Sequence, residues 1–587
     1  MRTSFRFALL LLPLALLLPP SLAAQPRRPS PDSVTVRVAM LHMAPVLGKI
    51  TPNVDTLAAM TARAFAEGAD VVVGPELATT GFSITARQVR DSLGLRAPFT
   101  RLGALRRLAM RHGGYVALGI AEIAEDDSLY NSVVLFGPDG RHVVQRKRGA
   151  SGFGPRGDLP FTVVPTRFGD LGLVICSDTY LPDWARILAL GGADLVLSPA
   201  NWWGGGQLDV WTTRAHENDF VFVVANRWGA EEDTRYGSYY YDMNDAPSAV
   251  IAPGTRDDAG GQALLVYRTE TAPEPSNVVL HRTVRIARAR IGAGPNRAYT
   301  VRARQPSAYA ALGDAYYRPD LGNKPVPGLP PEGSTRVAVL AFRPGGDAAG
   351  NVARVRDEWT RAGAAADVLV LPARAVTAQP VDTSDPRWAA AAPWNALQAF
   401  VDASGFRLLA TTVFERPAAG APVRESLLVF QPGRAPLLRA PIHPWPPAGA
   451  DPREPLYLDL PHARVGVVLG RDLLFPETSL SLAKRGADLV VAPAIEGVLP
   501  PRPLPAVASP WPYNAWLART NDGLHVAAAN QGWGLIARSG GGVIDTVAVA
   551  DAQAGAGLRI VEVNSASVRA KFLNAYRPFD LRALGVR

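Results

Sequence analysis

The sequence predicts an α/β protein: a layered sandwich, built as two tandem copies. Three observations carry that expectation. Short runs of Val, Ile and Leu alternate with stretches of helical spacing. Those runs are largely apolar, so the strands they form should be covered on both faces. The two halves of the chain also repeat each other. With 587 residues, 48% of them hydrophobic and 19% charged, there is apolar material for two large cores. A single core rarely grows past about 250–300 residues.

Taken in order, residues 1–24 read as a signal peptide. Arg2 and Arg6 supply the positive start, Phe7 to Leu18 the apolar run, and Ser21 to Ala24 small residues for cleavage. The run falls short of the roughly 20 apolar residues that a span needs. No later segment reads as a span, and no cysteine follows the cleavage site to carry a lipid. The expectation is a secreted or periplasmic protein with no integral membrane segment after cleavage.

In the first copy, placed at residues 34–321, Val36–Leu41 reads as a strand and Asn53–Glu67 as a helix, with Val54, Leu57, Ala58 and Phe65 on one side. Val71–Val73 reads as a strand, Arg101–Arg111 as a helix and Tyr115–Ile120 as a strand. Leu171–Ile175 is a strand followed by a helix near Pro182–Leu190, and Leu195–Ser198 is another strand. Residues 322–334, "GNKPVPGLPPEGS", form a stiff linker rich in Pro and Gly. The second copy occupies 335–581. "TVRVAMLHMAP" is answered by "STRVAVLAFRP", and "ADVVVGPE" by "ADVLVLPA". "LGLVICSDTYLPDW" is answered by "VGVVLGRDLLFPET". There Gly172 and Gly466, Asp178 and Asp472, and Pro182 and Pro476 are each 294 positions apart (466 − 172 = 294). "VVANRWG" meets "AAANQGWG", and "AYYRPDL" meets "AYRPFDL".

The net charge of +9 is modest and its arginines are scattered. Nucleic acid would want a concentrated basic face with aromatics interleaved, so that class is excluded. The eight histidines show no metal spacing.

Cys176 is the one cysteine in the chain. A free cysteine is most often a small buried hydrophobe, but an odd thiol in an exported protein points toward reactivity. It falls at a strand end beside a helix start, where backbone N–H groups can favour a thiolate or hold an oxyanion. Glu76 ends the strand "VVVGPE", a position suited to base work at a sheet edge. Only five of the 61 basic residues are lysines. One of them, Lys147, follows "YNSVVLFGPDG", a strand and a turn.

Together, "PE" after an apolar strand, a lysine after the "YNS…GPDG" hairpin, and "GLVICSD" before "GADLVLSPANWW" resemble the nitrilase, or carbon–nitrogen hydrolase, superfamily. "RAHENDFVFVVANRWG" and "PSAVIAPGT" continue the likeness, which covers Val36 to about Leu321. The resemblance implies an αββα four-layer sandwich and a catalytic set of Glu76, Lys147 and Cys176. It implies attack of the thiol on an amide or nitrile carbon, with Lys147 and the backbone N–H of Ser177 holding the oxyanion, Glu76 moving the protons, and no metal or organic cofactor required. Asn201 and Trp202, in "NWWGGG", are assigned to the substrate pocket.

Over Arg336–Leu581 the likeness is weaker. Ala373 stands at the place of Glu76 and Gly470 at that of Cys176, and the loop "GRAPLLRAPIHP" has no lysine. The second copy is therefore expected to be silent, a layout similar to the secreted pantetheinase and biotinidase group. Many members also have a second glutamate shortly after the lysine. Here Asp158 is the only acid in "KRGASGFGPRGDLP", so either Asp158 substitutes or the lysine is oriented otherwise. Ser481 and Lys484 fit an SxxK pattern but are expected on a solvated helix face. Glu217 is expected in a structural salt bridge.

The favoured function is hydrolysis of a small-molecule carboxamide. N-acyl transfer by the same residues, and a catalytically idle scaffold, are the alternatives. The two copies could pair within one chain as a pseudo-dimer.

Overall fold

The computed structural model describes residues 33–586 apart from 150, 203–206, 234–238, 243–246, 258–261, 268–276, 288–302, 319–321, 364, 378, 385–393, 444–452, 495–522, 541–542, 552–555, 572 and 574–577. The expected signal peptide, Trp203 and parts of the two answering tail motifs lie outside the described residues.

Among the described residues, fourteen strands precede residue 322: β1 (Ser33–His42), β2 (Val71–Val73), β3 (Tyr115–Ile123), β4 (Leu129–Phe136), β5 (His142–Arg146), β6 (Val163–Thr166), β7 (Gly169–Leu173), β8 (Ala193–Ala200), β9 (Val221–Asn226), β10 (Ala230–Asp233), β11 (Tyr239–Asp242), β12 (Ser248–Asp257), β13 (Gln262–Tyr267) and β14 (Val278–Ala287). They run β5-β4-β3-β2-β1-β14-β12-β9-β8-β7-β6, with β13 beside β12 and β10–β11 as a separate hairpin. Two residue pairs, Arg256 with Arg285 and Asp257 with Val284, join β12 to β14.

Thirteen described strands follow: β15 (Ser334–Phe342), β16 (Val368–Ala373), β17 (Val381–Asp382), β18 (Leu408–Arg416), β19 (Arg424–Phe430), β20 (Leu437–Arg439), β21 (Leu456–Asp459), β22 (Arg464–Val467), β23 (Leu489–Pro493), β24 (His525–Ala529), β25 (Trp533–Gly540), β26 (Val543–Asp551) and β27 (Ala556–Asn564). They form two sheets, β20-β19-β18-β16-β15-β27 with β17 on β18, and β21-β22-β23-β24-β25-β26. The order β5-β4-β3-β2-β1-β14 before the linker thus has the same succession as the first of these. The order β6-β7-β8-β9-β12-β13 has that of the second.

The apolar runs are covered on both faces, as their composition requires. Val36, Val38 and Met40 of β1 face Leu195, Leu197 and Val223 across a shared core. Ala39 and Leu41, pointing the other way, meet Val54, Leu57 and Phe65 of the Ile50–Ala66 helix. Beyond the linker, Val337 and Val339 face Val465 and Val491. Leu340 meets Val352, Val355 and Trp359 of the Ala348–Ala362 helix. This alternation follows from the two-residue period of a strand.

The two parts meet along the Pro182–Leu190 and Pro476–Lys484 helices. Leu181, Trp184 and Ile187 share a core with Leu480, Leu482 and Ala483, together with Tyr309, Leu312 and Leu584. Glu477 pairs with Arg304 at 2.8 Å and Arg186 at 3.4 Å. Burial opposes its charge, but the two guanidiniums outweigh it and hold the carboxyl at about 2.

Here one expectation is corrected. Ser481 and Lys484 lie not on a solvated face but buried in this junction. The Ser481 hydroxyl donates to the Glu477 carbonyl at 2.7 Å, and the Lys484 ammonium to the Tyr316 carbonyl at 2.9 Å. The helix meets neighbours on all sides, which its own periodicity does not reveal. No helix among the described residues is long and apolar enough to cross a membrane.

Candidate active site

Three strand ends deliver the expected residues. Beyond β2, Gly74 N–H donates to Ala117 O and Glu76 N–H to Ala200 O. The next residue, Leu77, turns left-handed with φ 48°. Gly119 on β3 permits this turn, because a Cβ there would lie 2.5 Å from Glu76 Cα and 2.4 Å from Leu77 N. Beyond β5, the Lys147 N–H donates to Asn131 O at 2.8 Å. Beyond β7, Val174 and Ile175 lead into Cys176, which opens the short 3-10 helix Cys176–Tyr180. Cys176 has φ 44°. A left-handed backbone at a residue with a Cβ stores of order 1–3 kcal/mol of strain.

The three side chains meet. Lys147 Nζ lies 2.6 Å from Glu76 Oε1, which also accepts from Asn131 Nδ2 at 2.7 Å. Glu76 Oε2 has no N–H or O–H partner. The buried Cys176 thiol feels that carboxylate both as a charge and as a hydrogen-bond acceptor. Burial pushes the thiol well above its ordinary range and Glu76 adds to the rise. Lys147 and the Asn201 N–H, which donates to the sulfur, pull the other way. Burial opposes the Lys147 charge, yet Glu76, Cys176 and Asp178 outweigh it and raise the ammonium. At rest the set is a thiol beside a carboxylate–ammonium pair. Such a thiol needs a base to attack, and the carboxylate is in place to be one.

Ser177 lies in the first turn of its helix, where N–H groups have no partner within the helix. It follows Cys176 directly in the chain. Asn201 is fully buried, and neither its Oδ1 nor its Nδ2 has a partner. The Trp202 ring packs edge-on to Tyr180 at 4.6 Å. Asn226 fixes this segment, accepting from Trp202 N at 2.8 Å and donating to Trp202 O at 3.3 Å. Glu217 pairs with Arg214, both fully buried, and Arg214 also donates to Thr179 O and Tyr180 O. That is the structural salt bridge expected of Glu217.

Asp158 does not reach Lys147. It pairs with Arg146 at 2.8 Å and accepts from the Tyr130 hydroxyl at 3.3 Å. The lysine is oriented otherwise, by Glu76, Asn131 and a clamp that the sequence left without a role. Asp178 accepts from Arg148 N at 3.1 Å and from Gly149 N at 2.8 Å, binding the lysine loop to the cysteine turn. Burial pushes this carboxyl up to about 6, against Lys147 and the two N–H groups. A signal was present, since Asp178 has its counterpart in Asp472. Asn131 was visible only as part of "YNS", and Gly119 carried no signal at all.

Strand pairing in residues 335–581 can be followed in the same register as in residues 34–321. Val144 pairs with Val134, and Leu438 with Leu428. Counting three residues on puts Pro441 where Lys147 is, and three back puts Glu425 where Asn131 is. Glu425 accepts from Arg471, the neighbour of Gly470, at 2.7 Å, and from the Thr412 hydroxyl at 2.8 Å. The left-handed turn persists at Arg374, after Ala373, with φ 58°. Asp472 still clamps its loop, accepting from His443 N at 3.1 Å.

Residues 37–244 match the family model described as carbon-nitrogen hydrolase. The chain is 34% identical over 239 residues to a nitrilase of Pyrococcus abyssi, covering 40% of this chain and 90% of that one. It is 34% identical over 177 residues to an (R)-stereoselective amidase of Pseudomonas sp, 28% of this chain and 61% of that one. Among solved structures, an amidase from Nesterenkonia sp. is similar at 22% identity and a TM-score of 0.33, over 43% of this chain and 90% of that one. A likeness this strong over nine tenths of the Pyrococcus nitrilase places the chain in the carbon–nitrogen hydrolase family, as a hydrolase acting on carbon–nitrogen bonds.

Proposed function

We propose that this protein hydrolyses a carboxamide through a thioester on Cys176, with Glu76 as the base and acid and Lys147 as the oxyanion partner. The observation that carries the reading is the contact of Lys147 Nζ with Glu76 Oε1 at 2.6 Å beside the buried thiol. Glu76 takes the thiol proton as sulfur attacks the carbonyl carbon. The oxyanion is held by Lys147 and the Ser177 N–H. Collapse breaks the C–N bond, and Glu76 returns the proton to the departing amine. Glu76 then deprotonates a water that attacks the thioester, releasing the acid and restoring the thiol. Asn201, with its unpartnered amide, and Trp202 border the acyl group. Relatives named as amidases support an amide as the substrate class.

In the same reading, the part beyond the linker is a second, silent copy of the fold. The matching strand orders support this, as do Ala373, Pro441 and Gly470 at the three chemical positions. The layout is that of a pantetheinase- or biotinidase-like protein, with the two copies paired within one chain through their buried helices. Residues 1–24 would direct export.

The test is intact-mass spectrometry of the protein with a panel of amides. A trapped acyl adduct and release of free acid in the wild type, both lost in Cys176→Ala, is the expected result. Transfer of the acyl group to an added amine instead would make the enzyme an acyltransferase. Amide turnover that survives Cys176→Ala would end the reading.

A further inference from the structure

Arg148, the neighbour of Lys147, is buried and pairs through Nη2 with the buried carboxylate of Asp580, 432 residues away. Asp580 belongs to the C-terminal helix Pro578–Leu584, which packs at the junction of the two parts. The same guanidinium donates through Nη1 to Leu159 O at 3.0 Å and Gly157 O at 3.2 Å. Gly157 N–H in turn donates to Lys147 O at 2.6 Å. A Cβ on Gly157 would lie 2.7 Å from Lys147 O, so this approach needs glycine. The guanidinium also lies over the rings of Phe579 at 5.1 Å and Phe161 at 5.4 Å. The backbone of Lys147 is thus enclosed: Asp178 holds the residues after it, Gly157 holds its carbonyl, and Arg148 ties both to the C-terminal helix.

We infer that Asp580 is a positioning residue for the reaction: the C-terminal helix braces the lysine loop through Arg148 and fixes the ammonium of Lys147 against Glu76 and the sulfur. The part beyond the linker thereby has a task in catalysis while holding no catalytic group. A buried ion pair is poor evidence for stability by itself, because desolvation offsets much of the attraction. Its geometry here fixes a loop. A planar fork shared between a carboxylate and two carbonyls sets one orientation of the residue beside it. Loss of the carboxylate would leave a buried guanidinium one partner short and free the loop to shift. A displacement of about 1 Å at a reacting group can cost up to about a hundredfold in rate.

The inference rests on the roles proposed for Glu76, Lys147 and Cys176, so its test has a readout that does not need them. Full-length Asp580→Asn and Arg148→Lys are compared with the wild type in kcat and KM on an amide, in melting temperature, and in the pH dependence of Cys176 alkylation by iodoacetamide. The expected result is a fall in kcat of about ten- to a hundredfold with KM changed by less than about threefold in both variants. Alkylation should shift to higher pH, because a displaced Lys147 no longer favours the thiolate. The double variant should be no worse than either single one. A folded Asp580→Asn with wild-type kcat and alkylation profile would overturn the inference. So would kcat, KM and melting temperature failing together in both variants, which is the signature of a stabilising pair alone. If Cys176→Ala still turns over amide, the hydrolase reading fails while the alkylation profile still decides the brace.

Discussion

Lys147 Nζ and Glu76 Oε1 stand 2.6 Å apart, 71 residues distant in sequence, both withdrawn from solvent. A buried ammonium and carboxylate at this distance each make the other's charge tolerable. Cys176 is exposed to both at once, and the opposing effects of the pair on the thiol separate their roles experimentally.

Glu76→Gln removes a charge that raises the thiol. The variant should lose amide turnover by about 10²–10⁴-fold, the usual worth of a general base. Its Cys176 should nonetheless alkylate faster than wild type at neutral pH. Lys147→Met removes the charge that favours the thiolate, so alkylation should slow and shift to higher pH. Intact-mass alkylation kinetics across pH read both. Slower alkylation in Glu76→Gln would contradict the electrostatic assignment.

Asp178 should set an acid limb. Its carboxyl is pushed up to about 6 in the fold, mainly by burial, against 3.8 ordinarily. As pH falls through about 6 it gains a proton and weakens its hold on the N–H groups of Arg148 and Gly149, so kcat should fall. Its effect on stability has the opposite sign. A raised folded pKa contributes stability that is full below the unfolded pKa and lost as pH rises through the folded one. Activity should therefore rise through pH 6 while this group's contribution to stability declines. Asp178→Asn should flatten both dependences, as read by a pH–rate profile and urea titrations.

Gly119→Ala places a Cβ against backbone atoms of Glu76 and Leu77 that cannot rotate away. Overpacking of this kind costs about 1–3 kcal/mol. The shift falls directly on the carboxylate, so kcat should drop more than the melting temperature alone would suggest. Steady-state kinetics with a thermal melt will show it.

Asp158→Ala should leave turnover within about twofold of wild type, since an ion pair this exposed is worth about 0–1 kcal/mol. Arg471→Ala should also keep activity, because its pair lies beyond the linker. It strands the buried Glu425 carboxylate, which should lower stability by about 1–3 kcal/mol. Denaturant titration beside an amide assay measures each. A tenfold loss of turnover in Asp158→Ala would restore that residue to a role beside Lys147.

The sequence by itself determined the strands and their burial on both faces, and it pointed to the three chemical groups on which the proposed function rests. Strand periodicity and apolar composition are local properties, and a lone cysteine after a strand end is visible without coordinates. The sequence also carried the matching blocks, whose strands pair in the same order on either side of the linker. What only the tertiary structure decided is how the groups are held. Asn131, Asp178, Gly119 and Arg148 act on the site across sheet neighbours or through backbone N–H groups. Such contacts depend on which strands lie side by side and leave no spacing rule in the chain. Asp158 was a candidate by proximity in sequence, yet it pairs with Arg146 at the end of β5. Ser481 and Lys484 read as solvent-facing because a helix's own pattern cannot register a neighbour supplied by the other half of the molecule. Local patterning fixes elements; long-range packing fixes which side chains share a cavity, because only packing sets distances between residues far apart in the chain.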